Sequence, residues 1–169
     1  LSEEELKKKY PLTYKYLKSH KVFLSGRERG NIVQGGNPWY VYGRTQALDQ
    51  ISKKKIFTPD IAPKPEFSVD QKGSTYFTGG VSGGYGILPN DDKYFYYLLG
   101  FLNSSFSNWF IRKTSTQMRG GFYSFESKYI KHIPVPIPTE SQLKEINELV
   151  KGIISTSKSI EANSSGADN

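Results

Sequence analysis

A run of alternating prolines near the C-terminal end restricts the fold of this chain more than any other feature of its sequence. Pro134, Pro136 and Pro138 each follow an aliphatic residue. Each proline fixes its own φ, removes a backbone donor and keeps the preceding residue out of the helical region, so the segment must run extended and unpaired. Thr139 comes next, with Gln142 three residues later, which is the capping-box pattern that begins a helix. The sequence therefore predicts a rigid proline strap (residues 134–138) that leads into a long helix.

The composition excludes several kinds of site before any motif is considered. The chain has 169 residues, no cysteine and two histidines, so one compact domain is expected, and disulfides, thiolate metal sites and a structural zinc site are excluded. No apolar run approaches the roughly 18 residues that a membrane helix requires. The chain begins at Leu1 without an initiator methionine or a signal-peptide pattern, which suggests a fragment of a larger protein. We expect no membrane partner and a cytoplasmic location.

The charge and the aromatic content favour a polyanionic partner. The formal net charge is +7, the isoelectric point is about 9.4, and aromatic residues make up 14% of the chain. Lys and Arg bind nucleic acid by displacing condensed counterions from phosphates. Basic domains without a nucleic-acid partner are also common, so a protein-interaction module with incidental charge is kept as an alternative.

Periodicity and chain breakers predict an α+β fold with a small mixed or antiparallel sheet, a packed helical hairpin and a long C-terminal helix. Ser2 and Glu5 form a further capping box, and Pro11 suits the first turn of another helix. Glycines and prolines predict a loop over 26–38. Strands are predicted over 39–42, 55–58, 67–69, 75–78 and 85–88. Helices are predicted over 94–103, 104–113, 125–131 and 139–160.

One set of residues fits metal-dependent cleavage of nucleic acid. Asp60 follows a proline, and Asp70 lies two residues before Lys72, which is the order of two metal-binding carboxylates and a lysine beside the attacking water. The intervening prolines disfavour the hairpin that such a site needs, and no third acidic ligand is obvious. A nuclease that uses Asp60, Asp70 and Lys72 is therefore kept as a second alternative.

The segment over 112–122 is a candidate for reading base edges. It carries Arg112, Lys113, Gln117 and Arg119 and has little apolar bulk to bury. Arg has the donor geometry that guanine edges require, and Gln has the donor and acceptor that adenine edges require. A solvated basic loop would have the same composition, but the basic and aromatic character of the whole chain favours DNA.

A glycine-rich segment and separate cations add to this candidate surface. The 79–86 segment lacks the lysine and the helix of a nucleotide-phosphate loop. Its bare backbone can approach DNA closely, with Ser82 and Tyr85 as polar side chains. The cations expected on phosphates are Arg44, Lys53, Lys54, Lys55 and Lys72.

Several segments, taken in order along the chain, resemble one known family. They are Trp39-Tyr40 with Gly43-Arg44, residues 54–61, 67–70, 97–104 and 120–123, and residues 130–138 with the proline strap. Over Tyr10 to Val150 the chain resembles the TaqI-like C-terminal specificity domain, the target-recognition domain of adenine-specific DNA methyltransferases and of fused restriction–modification enzymes. The Leu102-Asn103-Ser104 segment and the proline strap are also similar to Type I specificity subunits.

The resemblance implies a division of roles within a larger parent protein. This chain would read the sequence of double-stranded DNA and contain no catalytic residue and no metal site. An N-terminal methyltransferase domain of the parent would bind S-adenosylmethionine, with magnesium required if the parent also cleaves DNA. On this interpretation residues 1–138 form the target-recognition domain, residues 139–162 a spacer or docking helix, and residues 163–169 a disordered tail.

Overall fold

The computed structural model describes residues 1–43, 47–79 and 83–165. The chain divides into two compact units, Leu1–Leu48 and Asp49–Asn169. The first unit is helical, and the second contains the sheets, the helical hairpin and the C-terminal helix. Within the described residues, no helix combines the length and the apolar character needed to cross a membrane.

The first two helices of the first unit begin where the sequence predicts. In helix α1 (Glu3–Lys9) the Glu5 amide donates to Ser2 Oγ at 3.2 Å and the Ser2 amide donates to the Glu5 carboxylate at 2.8 Å, which is the predicted capping box. Helix α2 (Pro11–Ser19) has Pro11 in its first turn, also as predicted. The remaining helices of this unit are α3 (Lys21–Gly26) and α4 (Asn31–Gln34).

The segment after α3 differs from the predicted loop and strand. Residues 31–34 are helical, and residues 39–41 form a turn and a bend, with no strand over 39–42. Arg27 explains the second difference, because its guanidinium donates to the carbonyl oxygens of Trp39 at 3.1 Å and Val41 at 2.7 Å. A side chain therefore satisfies carbonyls that a neighbouring strand would otherwise have to satisfy.

Two small antiparallel sheets form the β part of the second unit, so the predicted α+β class is confirmed. The strands are β1 (Lys55–Pro59), β2 (Ile61–Ala62), β3 (Ser68–Asp70), β4 (Gly84–Ile87) and β5 (Tyr123–Ser124). In the first sheet the central strand β1 lies between β3 and β4, and in the second sheet β2 pairs with β5.

Irregular backbone replaces the strand predicted over 75–78. The Thr75 amide donates to the Asp70 carboxylate at 2.8 Å, and the Thr78 carbonyl accepts from the Gly84 amide at 3.0 Å. The Asp70 side chain and the Gly84 amide thus use the backbone groups at the two ends of this segment. No strand ladder forms over 75–78 as a result.

The predicted helical hairpin is present and is tied to the sheet region. Helix α5 (Phe95–Leu102) turns directly into α6 (Ser105–Thr114), and Ser104 caps α6 by accepting a backbone amide bond at 3.3 Å. The Asn103 side chain donates to the Phe67 carbonyl at 2.9 Å and accepts from the Phe67 amide at 3.0 Å. The core cluster that unites these elements is Ile56, Ala62, Phe67, Phe95, Leu99, Leu102, Ile111, Tyr123, Phe125, Ile133 and Val150.

The proline strap leads into a capped helix, as predicted. A short helix, α7 (Ser127–Ile130), precedes the strap, and residues 134–138 have no regular secondary structure. Helix α8 (Glu140–Ser165) follows. The Gln142 amide donates to Thr139 Oγ1 at 3.3 Å, and the Thr139 amide donates to Gln142 Oε1 at 3.0 Å, so both halves of the capping box form.

One face of α8 belongs to the core of the second unit. Leu143 and Val150 are buried, and Val150 is part of the cluster that includes the residues of α5. The helix also continues through Ser165, into the segment predicted as a disordered tail. Residues 166–169 lie outside the described residues.

Candidate nucleic-acid interface

The predicted 112–122 loop contains an ordered hairpin. Its first residues complete α6, which ends at Thr114, and residues 116–124 then fold back on themselves (the 116–124 hairpin). The arms are joined by backbone bonds from Ser124 to Thr116 at 3.0 Å and from Met118 to Phe122 at 2.8 Å, and by a bridge between Gln117 and Tyr123. The hairpin therefore presents its tip in a defined geometry.

The tip of the 116–124 hairpin depends on two glycines. Gly120 has a φ of 75° and Gly121 a φ of 79°, angles that residues with a Cβ rarely adopt. Arg119, in this turn, and Gln117, on the arm before it, are exposed. Within the described residues, neither side chain has a hydrogen bond or an ion pair. Both are therefore available to a partner.

Two apolar side chains on either side of the tip were missed by the sequence prediction. Met118 is 38% exposed and Phe122 is 40% exposed. The signal that could have identified them is the pair of large apolar residues flanking Arg119-Gly120-Gly121 in an otherwise polar segment. They add apolar surface next to the polar groups of the tip.

The base of the hairpin is fixed in the core. Tyr123 and Phe125 are buried, and the Phe125 amide donates to the Asp60 carbonyl oxygen at 2.7 Å. Thr116 Oγ1 and the Tyr129 hydroxyl share a hydrogen bond of 2.6 Å. A buried base and an exposed tip suit a recognition element, because the core sets its position while its outer side chains stay free.

Arg112 and Lys113 lie in the last turn of α6, next to the hairpin, but their environments differ. The Arg112 guanidinium lies 4.7 Å from the ring centre of Tyr123, which is a cation–π contact. Lys113 is exposed and has no ion pair or hydrogen bond through its side chain in the described part of the chain. Lys113 is therefore more available to a phosphate than Arg112, whose guanidinium is held against the buried Tyr123 at the base of the hairpin.

Lys55 is buried, although the sequence predicted that it contacts phosphate with Lys53 and Lys54. Its side chain is 2% exposed and its ammonium lies 2.6 Å from the Asp70 carboxylate, so it cannot reach a phosphate. The burial of Lys55 could not be predicted from the sequence, because three consecutive lysines are typical of a solvent-exposed segment. Lys53 and Lys72 are exposed, as the prediction requires.

Lys54 is held against the surface of the second unit. Its Nζ lies 2.7 Å from Asp92 Oδ1 and 4.0 Å from the ring centre of Phe95. The side chain is 29% exposed. A phosphate would have to compete with both contacts, so Lys54 is a weaker candidate than Lys53.

The structure gives the nuclease alternative no support. The Asp70 carboxylate is used by Lys55 and by two backbone amides. Burial alone would raise the pKa of Asp70, but these hydrogen bonds outweigh it and hold the pKa well below its usual range. Burial, and then the charge of Glu126, raise the pKa of Asp60, which disfavours the ionised form that a metal ligand needs. The described residues contain no group of three or more acidic, His or Cys side chains that could hold a metal ion.

Tyr85, which was also predicted to contact DNA, belongs to a strand. Tyr85 lies in β4 opposite Thr58 and is half-buried, and burial followed by the charges of nearby carboxylates raises its pKa. It is thus part of the sheet rather than of a free glycine loop. Arg44 and Ser82 lie outside the described residues.

Comparison with known proteins identifies the family. Residues 4–135 match the model of the TaqI-like C-terminal specificity domain. The chain belongs to this family. Membership confirms the resemblance found in the sequence and supports the interpretation as a DNA-recognition domain.

Three relatives are bifunctional or methyltransferase proteins of Type II systems. The chain is 30% identical over 155 residues to the restriction enzyme and methyltransferase RM.Eco57I of Escherichia coli, covering 87% of this chain and 15% of that protein. It is 28% identical over 164 residues to methyltransferase M.MjaIV of Methanocaldococcus jannaschii, covering 90% of this chain and 50% of that protein. It is 29% identical over 133 residues to methyltransferase M.PaeR7I of Pseudomonas aeruginosa, covering 75% of this chain and 21% of that protein. The chain therefore spans half or less of the length of each of these relatives.

Proposed function

We propose that this chain is the DNA target-recognition domain of a restriction–modification enzyme and that the 116–124 hairpin reads base edges. The observation that carries the proposal is the hairpin itself, whose base is buried and whose tip presents Arg119 and Gln117 without partners among the described residues. A specificity domain needs such side chains in a fixed position, because direct readout depends on the geometry of donors and acceptors in a groove. Membership of the specificity-domain family supports the same assignment.

The side chains around the tip have complementary roles in this proposal. Arg119 pairs with a guanine edge and Gln117 with an adenine edge. Met118 and Phe122 pack against apolar parts of the bases, such as the thymine methyl group. Lys113 contacts phosphate next to the hairpin, and phosphate contacts of this kind fix the register without reading sequence.

Catalysis is assigned to another part of the parent protein. In this proposal the chain is non-catalytic, and a methyltransferase domain of the same parent binds S-adenosylmethionine, with magnesium needed if the parent also cleaves. The relatives support this division, since their names describe methyltransferases and they are at least twice as long as the matched region. Double-stranded DNA and that methyltransferase domain are the proposed partners, and a cytoplasmic location remains a prediction.

The test compares two neighbouring cations in the full-length protein. Arg119→Ala should relax the preference at one or two base positions, by about 1–3 kcal/mol for a lost bidentate pair. Lys113→Ala is the matched control, because it removes the same charge from the same region and should weaken binding equally at all sequences. Sequencing of the modified or cleaved sites measures both effects, and circular dichroism checks the fold.

Two results would contradict the proposal. If Arg119→Ala and Gln117→Ala both cause only the uniform loss expected of Lys113→Ala, the hairpin does not read bases. If binding to DNA is absent or independent of salt, the alternative of a protein-interaction module is favoured instead.

A further inference from the structure

A buried ion pair joins β1 and β3 at one end of the three-stranded sheet. Lys55 and Asp70 are opposite each other across the antiparallel strands, with side chains 2% and 3% exposed. Lys55 Nζ donates to Asp70 Oδ2 at 2.6 Å. The cost of removing two charges from water cancels much of the attraction in such a pair. Apolar side chains of similar size often stabilise a core at least as much as a buried ion pair does. The pair therefore needs an explanation other than the stability of the sheet.

The other hydrogen bonds of the two charged groups supply that explanation. Lys55 Nζ also donates to the Ile51 carbonyl at 2.6 Å, in the segment that enters β1. The Asp70 carboxylate also accepts from the amides of Ser74 at 3.1 Å and Thr75 at 2.8 Å, in the segment that leaves β3. Apolar side chains could make none of these bonds. The ion pair consequently fixes the conformation of both segments.

The two segments also touch each other directly. Gly73 has a φ of 66°, and a Cβ at this position would overlap the carbonyl group of Ser52. Only glycine allows the backbones to approach so closely. Lys72 precedes Gly73 and Lys53 follows Ser52, so this close approach brings the two lysines onto adjoining segments. Both are exposed, and neither side chain has an ion pair or a hydrogen bond within the described residues.

We propose that the Lys55–Asp70 pair is a positioning device for DNA binding, which holds the segments at 50–54 and 71–75 together so that Lys53 and Lys72 contact one stretch of phosphate backbone. This inference rests on the proposed function. Side chains on anchored, adjoining segments lose less conformational freedom on binding than side chains on independent loops. Lys55 and Asp70 do not touch the DNA themselves, because they are buried.

The test removes the pair without changing the net charge. In the full-length protein, Lys55→Met combined with Asp70→Leu replaces the pair by apolar side chains, and Lys53→Ala combined with Lys72→Ala removes the two lysines. The log–log salt slope of DNA binding falls by about 0.9 for each phosphate that the protein no longer neutralises. We expect both combinations to reduce the slope, by up to about 1.8 for the lysines. Once the pair is replaced, removing the lysines should have little further effect.

A charge-neutral control separates positioning from general electrostatics. Lys93 and Glu140 form an exposed pair at 3.8 Å, and Lys93→Gln combined with Glu140→Gln should leave the salt slope unchanged. A purely structural role for the buried pair predicts a lower melting temperature with a wild-type slope. A folded Lys55→Met/Asp70→Leu protein with a wild-type slope would therefore overturn the inference.

A second variant decides the question if the apolar pair does not fold. Gly73→Ala forces the two segments apart at Ser52 while both charges remain, and it should also reduce the salt slope. A folded Gly73→Ala protein with the wild-type slope would contradict the inference and leave the proposed function standing. Failure of the proposed DNA binding is distinguishable, because the wild-type protein would then bind DNA without salt dependence or not at all.

Discussion

Two glycine-to-alanine substitutions should change the stability of the second unit in opposite directions. Gly100 lies within α5, and a Cβ there would be 2.8 Å from Val150 Cγ2 and 3.7 Å from Ile146 Cγ2 on α8. Gly152 lies within α8, and a Cβ there would meet no atom of the described residues within 4 Å. The first glycine permits two helices to pack closely, whereas the second only weakens its own helix.

The magnitudes follow from two opposing effects. Alanine is better than glycine inside a helix by about 0.8–1.0 kcal/mol, and Gly152→Ala should gain most of that. Gly100→Ala has the same gain but must displace Val150, which is buried and β-branched and so has few alternative rotamers. Overpacking of this kind costs about 1–3 kcal/mol, so we expect a net loss of up to about 2 kcal/mol.

Urea unfolding followed by circular dichroism measures both effects. Adding Val150→Ala to each variant removes the clashing methyl, and Gly100→Ala should then stabilise the protein as Gly152→Ala does. The coupling between Gly100→Ala and Val150→Ala should therefore be about 1–3 kcal/mol, and that between Gly152→Ala and Val150→Ala near zero. If Gly100→Ala stabilises the wild-type background, the close packing of α5 on α8 is refuted.

Two further predictions concern side chains that hydrogen-bond to backbone groups of the second unit. The pKa of Asp70 lies below its ordinary value of 3.8 because hydrogen bonds from Lys55 and two backbone amides outweigh burial. The contribution of a carboxyl with a lowered folded pKa is complete above its unfolded pKa and disappears as the pH falls towards the folded one. Urea unfolding should therefore show that the difference in free energy of unfolding between wild type and Asp70→Asn is constant near neutrality and decreases below about pH 5. A difference that is the same at all pH values would contradict this prediction. Asn103→Ala should lower the free energy of unfolding by about 1–3 kcal/mol because both backbone groups of Phe67 lose their partner. Asn103→Asp should also destabilise, because its carboxylate would face the carbonyl oxygens of Phe67 and Leu99 that now accept from the Asn103 amide, and urea unfolding that shows no loss for either variant would contradict this.

The sequence predicted the elements whose signals are local. The capping box of Thr139 and Gln142 forms because its two residues are about one helical turn apart. A distant contact cannot easily prevent such a local interaction. The prolines of the strap act on their own φ and on the residue before them, so their effect is equally local. Strand β1 was predicted over 55–58 because a short β-prone run ends there at a proline-rich link, and the structure has the strand over Lys55–Pro59.

The errors arose where a distant side chain decided the outcome. The aromatic run at 39–42 has high strand propensity, but the guanidinium of Arg27 binds its carbonyls and prevents pairing. Lys55 looked like one of three equivalent lysines, yet the register of β1 and β3 sets it opposite Asp70. Register across strands depends on the whole sheet, and no local pattern in the lysine run specifies it.

The structure separates the residues that hold the 116–124 hairpin from those that are exposed near its tip. Tyr123 and Phe125 are buried in the shared core, and the turn needs glycine at 120 and 121 because of its positive φ angles, so substitution at these positions changes the fold. Arg119 and Gln117 have no partners in the described part of the chain, so replacing them should leave the free energy of unfolding within about 0.5 kcal/mol of wild type. If the hairpin reads bases as proposed, specificity can therefore change at the tip without a compensating change in the core, which is the physical property that a target-recognition domain requires.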